Sequence, residues 1–224
     1  MKKQESKKTS GKEESKSNSL ENQNQEKKLK LFLFELKRQL VHIILGMLIV
    51  IAAAFNRTVT LWFIFIVLLL TILFSLISLK YDVKILKFIL GKFERRESIN
   101  KKPFKGAIFY LAGSLLVLKL FSLDVALASI IILAFGDSVP NLIGIYGKIK
   151  LPVDNKKTLE GLVAGVLIAT FLASFIVSPF EALAASIFAM LAEALSLKLQ
   201  EEEVDDNIIV PLVAGTVILI LRNL

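Results

Sequence analysis

The chain has 224 residues, 54% of them hydrophobic, with a positive mean hydropathy and a net charge of +8. So many long uncharged apolar runs set it apart from soluble globular domains, and the absence of cysteine excludes a disulfide framework, a thiolate metal site and a cysteine nucleophile. The uneven positive charge suits anionic lipid headgroups or phosphorylated ligands, not a nucleic-acid-binding fold.

Residues 1–28 are rich in Lys, Glu, Ser, Asn and Gln and lack any apolar period, the composition of a disordered polar tail. The rest, 29–224, reads as one membrane domain. A hydrocarbon core of about 30 Å takes about 20 apolar residues per helix. On that scale the sequence predicts an all-α, polytopic membrane protein with about seven transmembrane helices, at 31–55, 58–79, 106–121, 123–135, 159–177, 179–199 and 208–221. The third and fourth are short for a full span. Between them lie cytoplasmic loops at 80–105, 136–158 and 199–207. Lysine and arginine crowd the tail, the 80–105 loop and the 136–158 loop, whereas the opposite turns hold Arg57, Asp124, Glu181 and Arg222. Positive residues are retained inside, so the N-terminus is predicted cytoplasmic and the C-terminus external. Within 81–96, Val83, Leu86, Leu90 and Phe93 recur every three or four residues between lysines, which predicts an interfacial amphipathic helix.

Ionisable residues in or beside spanning helices are costly, so each is a functional candidate. Glu35, Arg38, His42 and Gly46 are spaced i, i+3, i+7 and i+11 and share a helical face. An interfacial ion pair explains the first two equally well, and helix packing explains His42. Asp137 follows Gly136 at a helix end, where a carboxylate suits a hard cation with bound phosphates. Gly144 and Gly147 permit close backbone approach, and Lys156 and Lys157 precede Thr158 at a helix start, where N–H groups and an ammonium converge. An ordinary loop has the same composition, and no GxxxxGK[ST] loop is present. Glu193, Asp205, Asp206 and Asn207 form either a metal-binding patch or, for Asp206 and Asn207, a helix cap. Glu201, Glu202 and Glu203 read as solvated loop charge. All these groups fall on the predicted cytoplasmic face, whereas a transporter places polar residues near the midplane.

Taken in order, these segments resemble the CTP-dependent lipid kinase family of dolichol kinase, phytol kinase and the yeast-type diacylglycerol kinase. The carrying residues are E-x-x-R-x-x-x-H-x-x-x-G at Glu35, Arg38, His42 and Gly46, and K-x-x-K-G at Lys102, Lys105 and Gly106. Then come G-D-S-x-x-x-x-x-G-x-x-G from Gly136 to Gly147, and K-T-x-E-G at Lys157, Thr158, Glu160 and Gly161. Glu193 and D-D-N-x-x-x-P at Asp205, Asp206, Asn207 and Pro211 complete the series. Val139–Pro140 depart from the small residue that often follows G-D-S in that family.

The resemblance implies Mg²⁺-assisted transfer of the γ-phosphoryl group of CTP to a membrane lipid alcohol, a polyprenol such as dolichol leading the candidates, at the cytoplasmic membrane face. Asp137, with Glu193 or with Asp205, Asp206 and Asn207, is the expected metal site. Lys102, Lys105, Gly136, Gly144, Gly147, Lys156, Lys157, Thr158 and Gly161 are the expected nucleotide contacts. Arg38, oriented by Glu35, is expected to neutralise the transferring group, and His42 or a carboxylate to take the hydroxyl proton. A cytidylyltransferase that forms a CDP-lipid and a non-enzymatic transporter are the alternatives.

Overall fold

A computed structural model describes residues 2–81, 103–152, 157–195, 198–199 and 202–224. They are helical except for turns and one short hairpin, in keeping with the predicted all-α class. In chain order the helices are α1 (Lys2–Phe55), α2 (Arg57–Lys80), α3 (Lys105–Leu120), α4 (Leu123–Gly136), α5 (Ser138–Ile143), α6 (Leu159–Ala173), α7 (Pro179–Ala194) and α8 (Asp206–Arg222). Between α7 and α8, β1 (Lys198–Leu199) pairs antiparallel with β2 (Glu202–Glu203). Among the described residues, three stretches are long and apolar enough to cross a membrane: Gln25–Phe55, Arg57–Lys80 and Leu123–Ile143, the last joining α4 to α5.

Two sequence expectations change. The polar tail forms the first part of α1, continuous with the apolar stretch. Its Lys, Glu and Gln are good helix formers, and it has no apolar period to dock on anything else. The sixth segment also ends early: α7 stops at Ala194, and the hairpin occupies the residues assigned to its last turn. Apart from Tyr81, the amphipathic stretch 81–96 lies outside the described residues, as do Lys102, Lys156 and Glu201.

The ends of the helices are written locally. The Asn56 side chain accepts from Val59 N–H at 3.1 Å and starts α2. Ser178 and Glu181 form a capping box around Pro179 at the start of α7. Thr158 caps α6 and Asp205 caps α8 through their side-chain oxygens. Arg57 reaches across to α3, donating through Nε to the Leu118 carbonyl at 2.8 Å and through Nη2 to the Phe121 carbonyl at 2.7 Å, so it supplies the partners that the last turn of α3 lacks.

α4 is the axis of the fold. It is apolar all round and buried along nearly its whole length, with Ala126, Ile130, Ile132 and Leu133 fully enclosed. α1, α3, α6, α7 and α8 surround it. Where α6, α7 and α8 meet, buried small residues (Ala169, Ala173, Ala182, Ala185, Ala189 and Ala214) let the backbones approach closely. Opposite ends of these helices carry separate polar groups. Arg222 at the end of α8 pairs with Asp124 at 2.5 Å and Glu181 at 2.6 Å, both in first turns. Asp137, Glu193 and Asp206 lie at the other ends of α4, α7 and α8, roughly 20 Å away at 1.5 Å rise per residue.

Candidate functional site

At that second end the costly residues meet. The Lys157 ammonium lies 3.2 Å from Glu193 Oε1 and 3.5 Å from Asp206 Oδ2, and donates to the Glu193 carbonyl at 2.5 Å. It thereby ties the start of α6 to the end of α7 and the start of α8. Glu193 is buried, 4% exposed, and its Oε2 has no hydrogen-bond partner among the described residues. Asp137 is within electrostatic reach of Lys157, Glu193, Asp206 and His42. Its own position is set by the helix break: it ends α4 and begins α5, and Asn141 Nδ2 donates to its carbonyl at 2.7 Å and to Oδ1 at 3.3 Å.

The charges there are strongly coupled. Burial disfavours the Lys157 ammonium, but Glu193 and then Asp206 outweigh it and hold its pKa above the ordinary lysine value. Asp206 stands just ahead of the apolar stretch 208–221. Burial pushes it up to about 6, Lys157 pulls it back, and Asp137 and Asp205 push it further up.

A second ion pair lies beside the first. Lys105 Nζ is 3.2 Å from Asp205 Oδ2 and 5.6 Å from the centre of the Phe109 ring. Asp205, not Asp206 or Asn207, is the cap of α8. It accepts from Asn207 N–H at 3.3 Å and from Asn207 Nδ2 at 2.7 Å, while Asn207 Oδ1 stays buried without a partner among the described residues. The third contributor is α1, where Arg38 Nε and Nη2 each stand 2.9 Å from Glu35 Oε2. His42 lies one turn further in, its ring edge-on to Tyr110 at 5.1 Å, and Tyr110 donates to the His42 carbonyl at 3.0 Å.

The glycines have a packing role that their spacing alone does not show. A Cβ on Gly144 or Gly161 would run into the Pro140 carbonyl at 2.6 and 2.8 Å, and one on Gly147 would overlap the Thr158 side chain. On the side where a Cβ would point, they make room for Thr158 and Pro140. Thr158 is 3% exposed, and its Oγ1 accepts from Gly161 N–H at 3.2 Å, so that N–H is already engaged. Gly136 backs onto Met190, and Gly106 faces open space. Pro140, the departure after G-D-S, has a matching vacancy: a Cβ on Gly165 would meet its Cγ at 2.6 Å.

Ser138, Tyr110 and Asn141 adjoin the site and Gln39 is buried on α1 between Glu35 and His42; none carries charge, so a search for costly ionisable residues passes over them. Gln39 had one usable signal, its i+4 spacing from Glu35 on the face that leads to His42 and Gly46. Among the described residues, no three His, Asp or Glu side chains stand together as a ready-made metal cage.

No family model matches the chain. An uncharacterized protein of Methanocaldococcus jannaschii is 26% identical over 185 residues, which cover 82% of this chain and 92% of that one. No solved structure matches.

Proposed function

We propose that the chain is a multi-pass membrane enzyme that transfers the γ-phosphoryl group of CTP to a lipid alcohol, most simply a polyprenol, at the cytoplasmic face. The observation that carries this reading is the meeting of Lys157, Glu193, Asp206 and Asp137 at one end of an apolar bundle, with Glu35–Arg38 and His42 on the adjoining helix. Phosphoryl transfer asks a protein mainly for positioning and charge neutralisation. A cationic and acidic site at the end of apolar helices can meet a soluble nucleotide on one side and a lipid headgroup on the other.

The donor set agrees in kind with Mg²⁺. The acids are oxygen donors, Glu193 Oε2 is buried without a partner among the described residues, and Mg²⁺ needs only one or two carboxylates because it keeps water and phosphate oxygens. Asp137 with Glu193 or Asp206 would hold it, and it would neutralise charge on the nucleotide's phosphates. Lys157 adds a half-buried ammonium beside the same acids. Arg38, held by Glu35, draws negative charge toward the mouth of the site. His42 lies deeper, at the level where a lipid hydroxyl arrives with its tail among the helices. α3, α6, α7 and α8 span only 15–17 residues each, shorter than about 20. In a seven-span arrangement with the N-terminus inside, their ends lie below the level reached by α1, which recesses the site toward the lipid.

The deciding experiment incubates purified protein in detergent with Mg²⁺, γ-labelled CTP or ATP, and polyprenols, geranylgeraniol, phytol or diacylglycerol. Label in an organic-soluble product, formed with CTP, is the expected result. Label in pyrophosphate, released when the lipid alcohol is replaced by its monophosphate, identifies a CDP-lipid-forming cytidylyltransferase, and no turnover with any alcohol or lipid phosphate by folded protein overturns the enzyme reading.

A further inference from the structure

Gln39 is completely buried, and neither atom of its amide has a hydrogen-bond partner among the described residues. Three residues on, Nδ1 of His42 is likewise buried and unpartnered among them. Residues three apart on a helix have Cβ atoms about 5–6 Å apart, so the two side chains are neighbours on α1. Each orphan costs on the order of 1–3 kcal/mol in the ligand-free protein. The surroundings hold the imidazole still: Tyr110 packs against its ring and donates to its carbonyl, and Gly46 leaves the space that the Tyr110 hydroxyl fills. Nothing in the charge-neutralising part of the site uses Gln39.

We propose that Gln39 and Nδ1 of His42 form the seat of the acceptor's hydroxyl, a buried donor–acceptor pair for a long-chain alcohol. The chemistry is specific. The Gln39 amide donates to the hydroxyl oxygen, and the hydroxyl donates to His42 Nδ1, which is an acceptor when the neutral ring carries its proton on Nε2. A carboxylate or phosphodiester offers no proton to Nδ1 and would bring negative charge toward Glu35, one turn away. An ether or hydrocarbon leaves Nδ1 orphaned. For the chemical step after binding, the assignment rests on the lipid-kinase reading. The hydroxyl oxygen bonds to the γ-phosphorus of a nucleoside triphosphate, and the bond from that phosphorus to the bridging oxygen breaks. The hydroxyl proton passes to Nδ1, giving a lipid phosphate and a nucleoside diphosphate.

The test uses the full chain in detergent, with geranylgeraniol and its methyl ether as probes of thermal stability and geranylgeraniol with CTP as the kinetic pair. Gln39→Leu keeps the volume and removes both orphans, so its ligand-free melting temperature should equal or exceed wild type. Wild type should be stabilised more by the alcohol than by the ether, and Gln39→Leu should respond to both alike. Its KM for the alcohol should rise about tenfold, while its KM for CTP stays within about twofold. His42→Asn retains an acceptor oxygen but no base, so it should keep the alcohol preference and lose about 100-fold in kcat. A lowered ligand-free melting temperature in Gln39→Leu assigns Gln39 a structural partner and overturns the seat. So does an unchanged alcohol preference, which leaves a resident water only. An unchanged kcat in His42→Asn removes the proton-accepting step. A wild-type protein that prefers the alcohol to the ether but forms no lipid phosphate retains the seat and refutes the kinase reading.

Discussion

Lys157 is the residue on which the most interactions converge. Its ammonium is the near neighbour of a buried glutamate and of a half-buried aspartate, so its loss exposes the costly side of the arrangement, an uncompensated Glu193. Breaking a buried pair from one side costs about 3–5 kcal/mol, far more than an exposed pair is worth. Lys157→Met is therefore expected to lower the melting temperature sharply, and Glu193→Gln in the same chain to restore most of it. Thermal unfolding of the two single variants and the double variant reads this coupling; additive losses would show that the pair is not one unit. Asp206 gives an opposite sign. Its folded pKa of about 6 lies above the ordinary aspartate value, because burial outweighs the attraction of Lys157. An acid with a raised folded pKa loses stability as pH climbs from the unfolded to the folded value. Asp206→Asn should therefore stabilise the metal-free protein, with a gain that grows between about pH 4 and 6 and levels off above. Melts at pH 4.5 and 7.5 check it; a larger gain at the lower pH would contradict the burial-driven shift.

At the scale of elements, the candidate site depends on a short helix wedged against a long one. α5 carries the chain away from Asp137, and its Pro140 fits the vacancy at Gly165 of α6. A Cβ at 165 would lie 2.6 Å from Pro140 Cγ and 3.1 Å from the Gly136 carbonyl, and the second neighbour is backbone that cannot step aside. Gly165→Ala should cost about 1–3 kcal/mol and displace Asp137, lowering turnover more than nucleotide affinity. Pro140→Ala should recover part of both in the double variant, as read by melts and initial rates. Much at this scale was legible in advance. The second segment, predicted at 58–79, is α2 at Arg57–Lys80, because a capping asparagine and an uninterrupted apolar run leave little choice. The end of α7 was not legible, since "LSLKL" continues an apolar pattern, whereas the helix stops at Ala194 and Lys198–Leu199 form a strand. Within the site, the cost of burying charge pointed to Lys157, Glu193 and Asp206 before any contact was known. The same reasoning is blind to Gln39, which is neutral, and to the packing at Gly144 and Gly147. Their occupant, Thr158, comes to them only through the fold.

At the scale of the whole molecule, two polar groups about 20 Å apart divide the bundle. One end is tied by Arg222, Asp124 and Glu181, with Arg57 capping α3 from the start of α2. The other holds Lys157 and Lys105 with their acids, next to a loop that supplies Lys148 and Lys150. The bias in lysine and arginine between the two ends is the quantity that sets orientation in a membrane, and a CTP-dependent reaction requires the lysine-rich end to face the cytoplasm, where the nucleotide is. The chain contains no cysteine, so single reporters can be introduced without a background. Cysteine at Lys148, exposed in the loop before α6, should be shielded from an impermeant maleimide in intact cells and react once the membrane is permeabilised. Cysteine at Asn56, in the turn between α1 and α2, and at Asn223, beyond α8, should react in intact cells. The two outer reporters bracket the bundle, so their agreement also tests the odd number of spans. Labelling at Asn56 but not Asn223 would mean an even count. The reverse pattern, with Lys148 labelled from outside, would put the acidic and cationic site beyond the reach of cytoplasmic CTP and end the kinase proposal whatever the side chains in it could do.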